Sequence, residues 1–164
     1  LNKEFDLNHF IKYPKEYNSC ALQYLKTSNV FISAHYWDPA SPKIFKKNDL
    51  DKMKNLKVIG DITCDVEGSV PTTIRSSTIE NPYFYIDRNT LTETFNKGLA
   101  IMAVDNLPSE LPRDSSKEFG DGIVSEVMPY MLNEDDGRIL NATITLNGSF
   151  LKKYNYLNDY IKTS

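Results

Sequence analysis

Two short acidic segments carry the clearest chemistry in this sequence: Asp61-Ile62-Thr63-Cys64-Asp65 and Val104-Asp105-Asn106-Leu107-Pro108. Each follows an apolar run, Val58-Ile59-Gly60 before the first and Leu99-Ala100-Ile101-Met102-Ala103 before the second. In a parallel α/β sheet, ligands bind beyond the C-terminal ends of the strands, so acids placed there are candidates for cofactor or substrate contact. Asp and Asn also close turns and cap helices by bonding nearby backbone. Spacing alone leaves both roles open.

Other chemistries find little material. A GxGxxG loop, whose glycines let backbone approach a pyrophosphate at a helix N-terminus, is absent. Gly120 and Gly122 fall inside a helical pattern, where close packing explains them. His9, His35, Cys20 and Cys64 are the only imidazole and thiol groups and are scattered, so no metal site is expected.

The elements that would position the acidic segments follow from periodicity. Asn29 to Ala34, Val58 to Ile62 and Leu99 to Val104 read as buried strands. Lys46 to Lys54, with Leu50 and Met53 at helical spacing and Asn48 and Asp49 as caps, reads as a helix. Strand, helix, strand implies a parallel sheet. Between Asp65 and Asn96 a Thr- and Ser-rich stretch with Gly68, Pro71 and Pro82 reads as one long ordered loop, a form that is usually functional when it occurs.

Ser115 and Glu118 stand in capping-box relation, and Phe119, Ile123, Val124, Val127, Met128 and Met131 recur at threes and fours, giving an amphipathic helix. Pro129 lies inside it and should bend it or interrupt its hydrogen bonding near Ser125 and Glu126. Ile139 to Leu146 alternates like a strand, yet Asn147-Gly148 would also stop a helix. Phe150 to Ile161 reads as helical.

Bulk composition narrows the class. A chain of 164 residues with 40% hydrophobic content fits one compact domain or a piece of a larger one. Twenty-two acids against 19 bases, without a basic stripe, exclude phosphate-backbone binding, so no nucleic acid is expected. No apolar run approaches the roughly 18 residues needed to span a bilayer, so no membrane partner is expected. Two distant cysteines favour reduced thiols and a cytoplasmic home. The sequons at Asn141 and Asn147 are read as incidental. Leu1 stands in place of an initiator Met, and the start reads as trimmed.

Three segments, Asn29-Val30-Phe31-Ile32-Ser33-Ala34-His35-Tyr36-Trp37-Asp38, Ile59 through Ser69, and Val104 through Pro112, resemble in order the lysine-2-oxoglutarate reductase (saccharopine-forming) family. Ile144 to Ser149 and Lys153 to Tyr156 are similar to the end of the reductase region in the two-activity lysine-degrading enzyme. Ser69 to Pro82 and Met128-Pro129-Tyr130 bear a more distant similarity to alanine dehydrogenase and the related transhydrogenase subunit.

This resemblance implies an α/β fold: residues 1–103 as the C-terminal part of a Rossmann-like, parallel-sheet nucleotide domain, and 104–164 as a long helix crossing back to the substrate domain. It makes Ile139 to Leu146 helical. It implies Tyr36, Ile62, Val104, Asp105, Asn106 and Leu107 as cofactor-binding residues, the last four beside the nicotinamide, and Asp65 as a catalytic acid that orients a substrate amine or imine. NADP or NAD would be the cofactor, and L-lysine, 2-oxoglutarate and saccharopine the ligands. The family's Lys and His proton carriers and its glycine fingerprint precede this region. The chain is therefore expected to pack against an N-terminal part of the same enzyme and to be inactive alone. An alanine-dehydrogenase-like enzyme and a non-catalytic binding module are the alternatives.

Overall fold

The computed structural model describes residues 4–161. The chain divides into two compact units, Leu1–Glu110 and Leu111–Ser164.

The first unit starts with two short helices, α1 (Leu7–Lys12) and α2 (Leu22–Leu25), and is built on a five-stranded sheet. Its strands are β1 (Val30–Ser33), β2 (Val58–Asp61), β3 (Tyr83–Ile86), β4 (Glu93–Thr94) and β5 (Leu99–Met102), in the order β1-β2-β5-β3-β4. β1, β2 and β5 run parallel, as the alternation of strand and helix predicts. β3 and β4 complete the sheet antiparallel. The Asp65–Asn96 stretch is therefore not one loop: its aromatic run Tyr83-Phe84-Tyr85 pairs with β5, and Phe84 and Ile86 enter the core. Three consecutive aromatic residues are good strand formers, and that signal was masked by the surrounding Ser, Thr and Pro.

Register explains which face is covered. Phe31, Ile59, Ile101 and Phe84 lie side by side across the sheet. They pack with Leu25, Phe45, Leu50, Met53, Leu56 and Val70 to form the core. On the opposite face, Ile32 is 64% exposed, and Val30, Val58 and Tyr83 are exposed as well. The expectation of a fully buried first strand is thus corrected: β1 is an edge strand with one open face.

Lys47–Lys52 is a 3-10 helix rather than an α-helix. Asp49 caps it from within, its carboxylate accepting from Lys46 N–H at 3.0 Å. Leu50 and Met53, three residues apart, eclipse one another in such a helix and both reach the core. Arg88 donates to the carbonyls of Met53 and Leu56, holding the following turn. Arg75 makes a two-pronged pair with Glu93, at 2.9 and 2.8 Å, and lies over the Phe84 ring, pinning β4 to the sheet.

The second unit opens with a continuous helical stretch: α3 (Pro112–Gly122), a π-turn at Ile123–Val127, and α4 (Met128–Leu132). The interruption falls where Pro129 requires it. Proline has no N–H to give and its ring crowds the preceding turn, and the π offset, with Met128 N–H bonded to Ile123 O, accommodates both. The capping-box expectation is corrected. The helix begins at Pro112, whose fixed φ suits the first turn, and Ser115 lies inside it, its N–H bonded to Leu111 O. The apolar stripe is exposed, with Phe119 at 74%.

α5 (Arg138–Ala142) is capped by Asp135, which accepts from Ile139 N–H and Leu140 N–H. It stops at Ala142, and β6 (Thr145–Leu146) pairs with β7 (Ser149–Phe150). Helical character through Leu146 is thereby corrected. Asn147 and Gly148 both have positive φ, 50° and 79°, the geometry of a tight hairpin turn, and Asn-Gly suits it best. A 3-10 helix at Lys152–Leu157 and a short α6 (Asn158–Ile161) close the described chain, so the closing segment is helical in most of its length.

Candidate ligand edge at the strand ends

Parallel pairing brings the C-terminal ends of β1, β2 and β5 to one edge. Ser33 is opposite Asp61, and Gly60 is opposite Met102. Past β2, Ile62 N–H donates to Ser33 O at 2.8 Å, so the turn after β2 stays joined to β1. Past β5, Val104 forms a parallel bridge with Ser77, whose hydroxyl accepts from Ala103 N–H and donates to Pro82 O.

The two acidic turns are joined by a thiol. Cys64 Sγ donates to Val104 O at 3.0 Å and lies within reach of Ile62 O, at 3.3 Å, and Asp61 O, at 3.6 Å. Burial pushes its pKa up, and the carboxylates of Asp61, Asp105 and Asp65 push it further. Cys64 stays a protonated donor at neutral pH for the same reason. One sulfur therefore joins the turn that carries Asp65 to the turn that carries Asp105.

Asp61 itself is fully buried. Its Oδ1 accepts from Thr63 N–H at 3.2 Å and from the Thr63 hydroxyl at 2.5 Å, and its Oδ2 from the Thr73 hydroxyl at 2.6 Å. Between those threonines the loop turns on Gly68, whose N–H bonds Asp65 O at 2.8 Å. A side chain at Gly68 would put Cβ 2.4 Å from Asp65 Cβ, so only glycine fits.

The site residues expected from the sequence are distributed as follows. Ile62 and Asp65 stand exposed on the β2 turn, Ile62 at 42%. Asp105 and Asn106 are exposed and Leu107 half-buried on the β5 turn, while Val104 is buried and offers its backbone. Tyr36 stands on the turn after β1, 90% exposed. The β2 and β5 turns are thus brought into direct contact, and the β1 turn is attached to them through Ser33.

Three groups at this edge were not singled out as site residues. Cys64 is one and Asp61 another. The third is His35, whose Nδ1 lies 3.2 Å from the Ser33 hydroxyl while its buried Nε2 has no partner, as is also true of Trp37 Nε1. Their position at or within three residues of a strand's end was the available signal. Among the described residues no group of three or more His, Cys, Asp or Glu is placed to hold a metal ion, and no helix is long and apolar enough to cross a membrane. A cavity of about 620 Å³ lies elsewhere in the first unit, lined by Leu22, Ile44, Phe45, Lys46, Lys47 and Pro71 among others, and shares no residue with this edge.

Three parallel strands with acidic turns at their carboxyl ends have the arrangement of a nucleotide-binding α/β domain, and the comparisons agree. Residues 5–154 match the alanine dehydrogenase/PNT C-terminal domain, and the chain belongs to that family, which generally binds nicotinamide cofactors. More particularly, the chain is 27% identical over 168 residues to an alpha-aminoadipic semialdehyde synthase of Arabidopsis thaliana, covering 95% of this chain and 16% of that protein. It is 23% identical over 184 residues to the mitochondrial alpha-aminoadipic semialdehyde synthase of Mus musculus and 24% over 187 residues to that of Bos taurus, covering 93% of this chain and 20% of each relative. The chain thus spans a fifth or less of these relatives' length.

The edge offers the exposed Tyr36 and Ile62 and the half-buried Leu107 as apolar surface, and the exposed Asn106 as an amide that can both donate and accept hydrogen bonds. The described residues contain no glycine-rich cradle for the phosphates.

Proposed function

We propose that this chain is the C-terminal part of a lysine-2-oxoglutarate reductase, in which it forms the nicotinamide side of the active site. The observation that carries this reading is the Cys64–Val104 bond, which unites both acidic turns at the carboxyl edge of a parallel sheet. In the proposed reaction the side-chain amine of L-lysine condenses with the ketone of 2-oxoglutarate, releasing water, and the imine is reduced to saccharopine. NADPH or NADH would supply the hydride and be oxidised to NADP or NAD.

The residues of this chain would bind and orient. Tyr36, Ile62 and Leu107 would hold the ring, with Val104 behind it. Asn106 and Asp105 would fix its polar end, and the exposed Asp65 would orient the substrate amine or imine. Proton transfer to and from the imine nitrogen needs groups of suitable pKa, which this reading assigns to a preceding substrate half. The open edge of β1 and the exposed Val30, Ile32 and Val58 support packing against that half, because unpaired strand edges and apolar sheet faces are normally covered. Free thiols at Cys20 and Cys64 are compatible with a cytoplasmic setting.

Nicotinamide-nucleotide oxidation by the polypeptide carrying this chain together with its upstream coding sequence, in the presence of lysine and 2-oxoglutarate, tests the reading. Saccharopine formation is the expected result. Turnover with pyruvate and ammonia instead would assign an alanine-dehydrogenase activity.

A further inference from the structure

We propose that Asp61 is a positioning residue: its buried carboxylate clamps both ends of the 62–72 loop and thereby sets where Cys64 and Asp65 stand at the strand edge. Its functional meaning rests on the ligand-edge reading above. The clamp itself does not.

A carboxylate withdrawn from water is expensive unless its oxygens are bonded. Both Asp61 oxygens are bonded, and the partners are informative, because one is two residues away and the other twelve. Oδ1 takes the Thr63 N–H and hydroxyl and fixes how the chain leaves β2. Oδ2 takes the Thr73 hydroxyl and fixes where it returns. A local turn residue would need only the first set.

Asp61 is also anchored where the sheet is rigid. It ends β2, opposite Ser33 of β1 and two residues from the fully buried Ile59. The loop it holds is conformationally demanding: Cys64 and Glu67 sit at φ of 56° and 54°, left-handed values that L residues adopt when the surroundings require it. Secondary bonds finish the closure, with Glu67 N–H to Thr73 O and Gly68 N–H to Asp65 O. From this held loop, the Cys64 thiol reaches Val104 O and carries the constraint to the β5 turn.

The test uses the whole chain with Asp61→Ala, Asp61→Asn and Thr73→Val. It measures the alkylation rate of Cys64 and amide hydrogen exchange across the first unit. In Asp61→Ala, Cys64 should react at least about tenfold faster, the scale of losing one hydrogen bond to a charged group. Amides 62–73 should exchange faster, while those of Ile59 and Ile101 keep their protection. Thr73→Val should move the same readouts the same way. Asp61→Asn should restore them, since its amide oxygen still accepts from Thr63 and its NH2 can donate to the Thr73 hydroxyl.

The proposal is overturned if Cys64 and the loop amides behave as wild type in both Asp61→Ala and Thr73→Val, or if sheet and loop amides lose protection together in both. Failure of Asp61→Asn to rescue also overturns it. In the longer polypeptide, Asp61→Ala should raise KM for the nicotinamide nucleotide. A released loop with an unchanged KM keeps the clamp and overturns the nicotinamide reading of the edge.

Discussion

The thiol of Cys64 donates to the main-chain carbonyl of Val104 across 3.0 Å and 40 residues of sequence, joining the turn after β2 to the turn after β5. Removing the donor should loosen that junction. Cys64→Ala is expected to lower stability by about 1 kcal/mol, the usual worth of one such bond, and Cys64→Ser to recover part of it. Melting temperatures of the three proteins check this. Because burial and three carboxylates raise its pKa, Cys64 should also react with iodoacetamide at neutral pH more slowly than the exposed Cys20.

Asp105 is an exposed acid at a strand end, with little packing to lose. In the longer polypeptide, Asp105→Ala should weaken nucleotide binding or turnover and leave the melting temperature within about 0.5 kcal/mol equivalent of wild type. Unchanged kinetics with a lowered melting temperature would make Asp105 a turn residue only.

Gly68 turns the loop under Asp65, with no room for a Cβ. Gly68→Ala should cost about 1–3 kcal/mol through displacement of Asp65 and its backbone. Denaturant unfolding measures the loss, and an unaltered midpoint would contradict the tight turn.

The Arg75–Glu93 pair holds the β4 edge, and the Arg75 guanidinium keeps the Glu93 carboxyl below its ordinary range. The sign follows: a depressed folded pKa gives stability that is present above the unfolded value, about 4.3, and lost as pH falls through the folded one. Both side chains are nearly half exposed, so the effect is limited to about 1 kcal/mol or less. Glu93→Gln should remove that part of the acid dependence while changing stability little at pH 3.

What the sequence disclosed follows a physical divide. The parallel strands were legible because Val58-Ile59-Gly60 and Leu99-Ala100-Ile101 are apolar runs ending at acids, and the π-turn because Pro129 has no N–H. β3 was hidden because Tyr83-Phe84-Tyr85 pairs with residues fifteen or more positions onward, and turn-forming residues surround it. The acids at the strand ends were legible as a pair of turns. Their connection was not, since a cysteine three residues from Asp61 gives no sign that its thiol will find Val104. Likewise Asp61 and Asp65 look equivalent in sequence. Only the fold separates a buried clamp from an exposed acid.

In the proposed function this chain supplies the nicotinamide side of a saccharopine-forming site whose proton carriers and phosphate cradle lie elsewhere in the polypeptide. Lysine- and 2-oxoglutarate-dependent oxidation of NADPH or NADH, measured on the purified chain and on the polypeptide that includes its upstream coding sequence, tests it most directly. No turnover by the chain alone and saccharopine formation by the longer polypeptide are the expected results. Turnover by the 164 residues alone, or none by the longer polypeptide with either nucleotide, would contradict it.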